Sequence, residues 1–186
     1  MSALFRVRRQ TVAKWNIDPD HSVAVFSIRH FEIANVHGHF NKITGTIHFD
    51  PADVAHSSVE VTMDAASICT GIKKRDDHLR SPDFFDIEKY PKILFKNTNV
   101  EIISSNHCKV TGDLTIHGIT QPVTFETKYF GPIKSPFGAT SLGFSAKTRI
   151  NREDFGITWN MAMEGGVAVG RDVEITLDVE ADLVTE

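Results

Sequence analysis

Hydrophobic and polar positions alternate along most of this chain. The clearest case is the segment RDVEITLDVEADLV near the C-terminus, where one parity holds Val173, Ile175, Leu177, Val179, Ala181 and Leu183. Acidic residues and Thr176 occupy the other parity, so an extended strand would have one dry face and one wet face. A helix would spread the acids over all of its sides. The segment is therefore predicted to be a long strand.

Seven further segments are strand candidates, and turn signals rich in Gly, Pro, Asn, Asp and Ser separate most of them. The candidates are HSVAVFSIRH, VHGHFNKITGTIHF, SSVEVTMD, KILFKNTNVEII, KVTGDLTIHG, PVTFETKYF and TSLGFSAKTRI. The turn signals are DPD, SSN, HGITQP, GPIKSPFG and NREDFG. About eight strands with short turns predict an antiparallel barrel or sandwich. The length of several strands favours a barrel, whose closure also removes exposed edges.

One segment, CTGIKKRDDHLRSPDFFDIEKYP from Cys69 to Pro91, interrupts the alternation. Its apolar residues are irregularly spaced, and Pro82 ends any helix that begins near Lys73. The segment is predicted to form a short helical arm around residues 72–80, followed by an irregular stretch. Long insertions on a rigid β scaffold often carry function, so this arm is the first candidate for a site.

Composition supports one globular domain. The chain has 186 residues, of which 41% are hydrophobic and 24% charged. Its net charge of −4 argues against a general nucleic-acid binder. Thirteen Phe, against two Tyr and two Trp, provide apolar surface without a polar group. Such a set suits a core or an apolar ligand.

The N-terminus and the cysteines bear on location. Arg6, Arg8 and Arg9 are not followed by an apolar region, as they would be in a secretory signal. No apolar run approaches the ~18 residues that cross a bilayer, so stable membrane insertion is not expected. A cytoplasmic protein is predicted, or a periplasmic one if the natural N-terminus differs. Cys69 and Cys108 are interpreted as free thiols, although one bridge stays an alternative. Residues 1–13 are interpreted as an N-terminal extension and residues 14–184 as the barrel domain.

Two histidines raise the question of a metal. His37 and His39 in VHGHF share one face of a predicted strand. A metal site would also need a carboxylate and a further His, and the following NKITGT contains neither. Two imidazoles on the outer face of the barrel are the favoured interpretation, and no metal is predicted.

The charged part of the arm has two interpretations. Arg75, Asp76 and His78 could form an anion site or an acid–base cluster, because the Arg fork matches phosphate and carboxylate. Alternatively, they are ordinary ion pairs on a helix surface. Burial of the neighbouring apolar residues would bring the charges to the barrel mouth; these are Leu79, Phe84 and Phe85.

The segment INREDFG is interpreted as structural. Asp154 is predicted to bond the local backbone in a tight turn that ends at Gly156. Phe155 would then plug one end of the barrel, and Arg152 carries no catalytic role in this interpretation. The sequence has no G-x-S-x-G elbow, phosphate-binding loop or C-x-x-C motif, and no nucleophilic triad can be assembled from spacing.

The ordered motifs from Trp15 to Leu183 resemble the YceI-like family. They are DPDHSVAVFSIRH, VHGHFNKITGTIHFDP, SICTGIKKRDDHLRSPDFFDIEKYPKILF, GDLTIHGITQPVTF, INREDFGITWN and GRDVEITLDVEADL. The R-D-x-H-L…F-F-D…Y-P block is the most specific part. In VHGHF, the family pattern falls on Gly38 and Phe40, and not on the two His. The absence of a secretory signal is a departure, since many members are periplasmic.

This resemblance implies an all-β, extended, lipocalin-like eight-stranded antiparallel barrel. Family members bind long isoprenoid lipids, such as polyprenyl phosphates or isoprenoid quinones, in an elongated apolar tunnel, and are often dimeric. An isoprenoid ligand and a homodimer are therefore the implied partners, with no cofactor beyond the lipid. Head-group candidates are Arg75, Asp76, His78 and His30. Tail candidates are Phe26, Ile28, Phe40, Phe84, Phe85, Phe95, Phe125, Phe144 and Phe155.

The predicted function is non-catalytic binding or carriage of such a lipid. One alternative is an enzyme that acts on an isoprenoid or a small acid, with His78 as general base and Asp76 as its orienting partner. The other is a stress-related interaction module whose barrel interior is filled by its own side chains.

Overall fold

The structure, a computed structural model, describes residues 12–185. Most of the predicted extension over residues 1–13, including Arg6, Arg8 and Arg9, lies outside the described residues. The strands are β1 (Lys14–Ile17), β2 (Val23–His30), β3 (Ala34–Phe40), β4 (Ile43–His48), β5 (Ser58–Asp64), β6 (Lys92–Ser104), β7 (His107–Ile116), β8 (Ile119–Lys134), β9 (Thr140–Asn151), β10 (Ala162–Met163), β11 (Gly166–Val167) and β12 (Val169–Leu183). The α-helix is α1 (Lys73–Arg80), and the 3-10 turns are Pro19–His21, Val54–His56, Ala65–Ser67 and Arg152–Phe155.

The main sheet closes into an antiparallel barrel. β1 and β2 are successive halves of one bent barrel strand that runs beside β12, and β4 and β3 are the halves of the next, since β1 pairs with β4 and β2 with β3. The ring continues through β5, β6, β7, β8 and β9 to β12, and the pairing of β12 with β1 closes it. Counted this way, the barrel has eight strands, which confirms the predicted fold.

The apolar residues on alternating positions of β12 point into the barrel, as predicted. Ala181 of β12 is fully buried, and Ile175 and Leu177 pack against the buried core. Opposite them on β2, Ala24 lies across from Leu177, and Phe26 from Ile175. The dry faces of neighbouring strands therefore meet in one interior.

Two details differ from the sequence prediction. The strand β1 was not predicted because its alternation, although regular, extends over only four residues. The predicted turn HGITQP is narrower than its composition suggests: only His117 and Gly118 turn, both with positive φ (52° and 73°), and β8 begins at Ile119. A two-residue turn of this kind reverses the chain at once, so the two strands stay paired up to Ile116.

The predicted arm connects β5 to β6 and packs against β3. The His39 N–H donates to the Cys69 carbonyl at 2.9 Å, and the Cys69 N–H donates back to His39 at 2.9 Å. A Cβ on Gly38 would lie 2.4 Å from Cζ of Phe26 and 2.8 Å from Cγ2 of Thr70. Glycine is therefore required for this close approach.

The turn Arg152–Phe155 is capped by a residue other than the predicted one. The Asn151 side chain accepts from the Glu153 N–H at 3.0 Å, since the capping position precedes the first helical residue. Asp154 instead offers its backbone carbonyl to the Gln121 side chain at 3.0 Å. Phe155 is buried against the core, and its role as a plug of one barrel end stays a prediction.

Both cysteines are free thiols, as predicted, with Cys108 buried and Cys69 half-buried. Within residues 12–185, no helix has the length and apolar character needed to span a membrane.

Candidate functional site

The barrel interior holds a cavity of about 430 Å³. Protein interiors are normally packed with few voids larger than a water molecule, whereas ligand pockets measure about 300–1,000 Å³. The cavity therefore has the size of a ligand site. Its presence contradicts the alternative of a barrel filled by its own side chains.

All nine residues predicted to contact a lipid tail lie in the cavity wall. They are Phe26, Ile28, Phe40, Phe84, Phe85, Phe95, Phe125, Phe144 and Phe155. Ring contacts hold several in place: Phe40 packs on Phe26 at 5.8 Å and on Phe85 at 5.5 Å between centroids. Contact of these residues with a ligand stays a prediction.

The wall also contains aromatic residues that sequence reasoning missed. Phe49 packs edge-on against Tyr129 and Phe144, with centroids 4.9 and 5.4 Å apart, at the end of the barrel remote from α1. Phe49 continues the parity of Ile43 and Ile47 on β4, so an inward position could have been predicted. Trp159 lies in an irregular segment, where no strand alternation could have predicted an inward position.

Three arginines and two histidines of the cavity wall lie at the α1 end. In the described part of the chain, the wall includes Arg29, His30, Arg75, His78 and Arg152 but no Asp or Glu. This set is called the cationic end below. Its members come from different elements and meet at Val169 of β12. His30 pairs with Val169 across the sheet, and Arg152 donates to the Val169 carbonyl.

Arg75 and Thr70 form a hydrogen-bonded clip, which holds the start of α1 against the segment before it. The Arg75 Nε donates to the Thr70 hydroxyl at 2.7 Å, and its Nη2 donates to the Thr70 carbonyl at 2.8 Å. Nη1 makes no hydrogen bond to residues 12–185, and Arg75 is part of the cavity wall. Arg75 therefore keeps free donors for a ligand.

The structure places Asp76 away from the cavity, unlike the other three head-group candidates. Its buried carboxylate accepts from the Thr70 N–H at 2.8 Å and from the Thr70 hydroxyl at 2.5 Å. A buried carboxylate needs such donors, and Thr70 is the neighbour that supplies them. Asp76 thus stabilises the arm from within and is not positioned to meet a head group.

His78 also has a different partner from the one the enzyme hypothesis requires. Its Nε2 lies 2.8 Å from an Asp83 carboxylate oxygen, and Asp76 does not orient it. The ring contacts Phe84 and Trp159 edge-on, with centroids 5.0 and 4.9 Å away. The predicted base and orienting pair is therefore not formed by His78 and Asp76.

Arg152 is a buried cation at the cationic end. It is 4% exposed, and its fork donates to the carbonyls of Gly170 (2.8 Å), Ile157 (2.6 Å) and Val169 (3.4 Å). Burial lowers the pKa of the guanidinium, which nevertheless stays charged because arginine titrates far above neutral pH. The nearby Glu153 bonds Arg171 instead, at 3.3 Å.

The two histidines of VHGHF face away from the cavity. His37 is exposed and His39 is half-buried on the outer parity of β3. Within residues 12–185, the group of potential metal ligands brought together is Asp18, His21 and Glu180, and neither His belongs to it. Asp18 holds His21 at 2.7 Å, which lowers the pKa of Asp18 and raises that of His21.

Comparisons with known proteins agree with this geometry. The family model of the YceI-like domain matches residues 15–181. A UPF0312 protein of Pseudomonas putida is 34% identical over 181 residues, which cover 96% of this chain and 91% of the relative.

Solved structures share the fold. BcnA of Burkholderia cenocepacia superimposes with a TM-score of 0.78 at 25% identity, covering 88% of this chain and 98% of BcnA. A polyisoprenoid binding domain from Saccharophagus degradans, implicated in plant cell wall breakdown, superimposes with a TM-score of 0.68. It is 12% identical, and the match covers 93% of this chain and 99% of that domain, so this likeness concerns the fold alone.

Proposed function

The chain belongs to the YceI-like family, and from this premise we propose that it binds a long isoprenoid lipid with an anionic head group, without catalysing a reaction. The observation that carries the proposal is a largely apolar cavity whose charged wall residues are cationic and gathered at one end. The name of the Saccharophagus degradans domain, which has the same fold, supports the isoprenoid part of the proposal.

The apolar wall suits a hydrocarbon chain. Each buried CH₂ contributes about 0.8 kcal/mol, so one five-carbon isoprene unit contributes roughly 3–4 kcal/mol. The costs of ordering the chain and of association cancel much of this gain. Phe, Ile, Leu and Val side chains offer no hydrogen bonds, so this part of the site selects for length and shape only.

The cationic end favours a phosphate over a quinone. A quinone carbonyl needs only neutral donors, whereas a phosphate forms its strongest hydrogen bonds with positively charged donors. Arg75 supplies free guanidinium donors, and His30 and His78 border the same space. Arg152 adds a fixed positive charge behind them.

The test compares head groups on one tail. Purified protein is titrated with a polyprenyl phosphate, the polyprenol and an isoprenoid quinone of equal chain length, with Trp159 fluorescence as the signal. Trp159 lines the cavity and contacts His78, so a Trp159→Phe variant identifies its contribution. We expect the phosphate to bind at least about tenfold more tightly than the polyprenol, because a hydrogen bond to a charged group contributes about 1.5–3 kcal/mol.

An arginine variant and a matched lysine variant refine this test. Arg75→Gln should abolish most of the preference for phosphate, whereas Lys74→Gln, at an exposed neighbour outside the cavity wall, should preserve it. Equal affinities for phosphate and polyprenol would refute the anionic head group. Failure to bind any of the three lipids would refute isoprenoid binding as a whole. A carrier role, a homodimer and a cytoplasmic location stay predictions.

The two thiols provide an internal probe of occupancy. Cys108 lies in the cavity wall, and Cys69 lies outside it. Burial, and then the Glu126 carboxylate, raise the pKa of Cys108, so its thiolate fraction near neutral pH is below that of an ordinary cysteine. We expect alkylation of Cys108 to be slow at pH 7 and to accelerate above pH ~9, its usual pKa range.

A bound ligand should change the alkylation rate of Cys108 but not that of Cys69. A bound isoprenoid should slow the iodoacetamide reaction of Cys108 at least about fivefold, since the reagent must reach a thiolate in an occupied cavity. Mass spectrometry of Cys69→Ser and Cys108→Ser variants measures each thiol separately. An isoprenoid that protected Cys69 and left Cys108 reactive would place the ligand outside the barrel.

A further inference from the structure

Exposed apolar side chains gather on three segments around the cationic end. This apolar fringe consists of Phe31, Ile33, Ile72, Met161 and Met163. Each segment also contributes a nearby residue to the cavity wall: His30 precedes Phe31, Arg75 follows Ile72 by three residues, and Trp159 precedes Met161 by two. The fringe therefore surrounds the end of the cavity at which we place the head group.

The segments of the fringe are joined by direct contacts. The Phe31 N–H donates to the Ala168 carbonyl at 3.0 Å, which ties the β2–β3 turn to the segment after β11. The rings of His30 and Phe31 are in contact, with centroids 3.8 Å apart and planes tilted by 34°. Trp159, before β10, contacts His78 of α1. The fringe is thus a feature of one continuous rim.

The β2–β3 turn keeps an apolar tip at a strained backbone position. Phe31 and Glu32 have φ values of 51° and 61°, in a turn where Asn and Gly are the favoured residues. A bulky residue with positive φ is a rare outlier. Ile33, the next residue, is 80% exposed, so core packing does not explain this sequence. Strain that the fold does not require points to a function of the tip.

The charges on the rim suit a bilayer surface. Arg29 and Lys74 are exposed and make no ion pair within residues 12–185, and Lys73 lies 2.6 Å from Asp77. Asp77, Glu32 and Glu164 are acids of the same segments. They balance Arg29, Lys73 and Lys74, so the rim is close to neutral, although the chain as a whole carries −4. Such a surface favours insertion of apolar side chains and neither strongly attracts nor strongly repels anionic lipid.

We infer that the cationic end docks on a lipid bilayer, with the apolar fringe inserted between the head groups. The inference rests on the proposed isoprenoid binding, because an isoprenoid chain leaves a membrane most easily if it never meets water. In this arrangement the mouth of the cavity opens onto the bilayer. The chain then lies on the membrane and does not cross it.

Flotation with vesicles of phosphatidylcholine containing one-fifth phosphatidylglycerol tests the docking. The fringe variant Ile33→Ser/Met161→Ser should lose at least about fivefold in vesicle-bound fraction, because two inserted side chains are removed. The matched control is Ile133→Ser/Phe137→Ser on the β8–β9 hairpin, whose two side chains are 68% and 97% exposed. The control should change binding less than about twofold.

The outcomes separate docking from isoprenoid binding. Equal loss in both variants, larger loss in the control, or no binding by the unmodified chain would overturn the docking. A fringe variant that changed the oligomeric state in sedimentation velocity, with unaltered vesicle binding, would overturn it in favour of a second copy of the chain. Loss of vesicle binding with unchanged binding of a polyprenyl phosphate in solution is the expected result. If the chain docked through the fringe but bound no isoprenoid, the proposed function alone would fail.

Discussion

Arg152→Met is expected to lower the free energy of unfolding by about 2–4 kcal/mol. The substitution removes donors from the carbonyls of Gly170, Ile157 and Val169, and Val169 also accepts from the Asn160 amide at 2.7 Å. Each unsatisfied buried carbonyl costs about 1–3 kcal/mol, and relief from burying the cation offsets a part. For a chain of this length, the midpoint of thermal unfolding should fall by about 5–15 °C.

Two further variants separate the fork from the charge in this experiment. Arg152→Lys keeps the positive charge but lacks the planar guanidinium that bonds two chain segments at once. It should therefore be only slightly more stable than Arg152→Met. Arg149→Met removes an exposed arginine that lies 2.5 Å from Glu174 on the outer face of β9, and should change stability by less than about 1 kcal/mol. If Arg152→Met were as mild as Arg149→Met, the fork would not hold this end of the barrel together. Urea unfolding at neutral pH measures all three.

The barrel could be predicted from the sequence because strand parity is a local property. In β12 the alternation of Val173, Ile175 and Leu177 with acids fixes the inward face, whatever the neighbouring strands are. The inward placement of Phe26 and Ile28 on β2 follows from the same rule. Closure was also predictable, since long antiparallel strands leave no satisfactory open edge.

The polar contacts of the site could not be predicted in this way. The charge pattern of the arm suggested that Asp76 would meet His78 or a ligand, but the arm folds back so that Asp76 meets Thr70. Arg152 was interpreted as structural without its partners being known, because its carbonyl acceptors lie 5 to 18 residues further along the chain. Such contacts depend on tertiary structure, so short-range sequence patterns do not predict them.

The contrast between the two parts of the wall has a physical basis. A hydrocarbon chain is recognised by exclusion of water, which any inward apolar side chain provides, so strand parity and the apolar residues of the arm were enough to select the tail candidates. A head group is recognised by a few directed donors, which must be held at fixed positions. In this chain the clip around Thr70 and the fork of Arg152 hold them.

Ala146→Trp is expected to abolish binding of the isoprenoid while the barrel stays folded. Ala146 is buried in the cavity wall on β9, opposite Leu177 and Thr127 of the neighbouring strands. An indole at this position projects into the space that a tail would occupy. The cavity of about 430 Å³ can receive the ring, so stability should fall by no more than about 1–3 kcal/mol, the usual cost of overpacking.

The adjacent outward position provides the control. Lys147→Trp adds the same ring to the exposed face of β9 and should leave binding within about twofold of the unmodified chain, because it does not reach the cavity. Native mass spectrometry of the protein with a polyprenyl phosphate should show at least about a tenfold lower bound fraction for Ala146→Trp, since a blocked tunnel cannot bury the chain. If Ala146→Trp bound the lipid normally and kept its fold, the tail would have to lie elsewhere. The cavity would then be a packing defect, and the hydrophobic gain assigned to the barrel interior would have no physical basis.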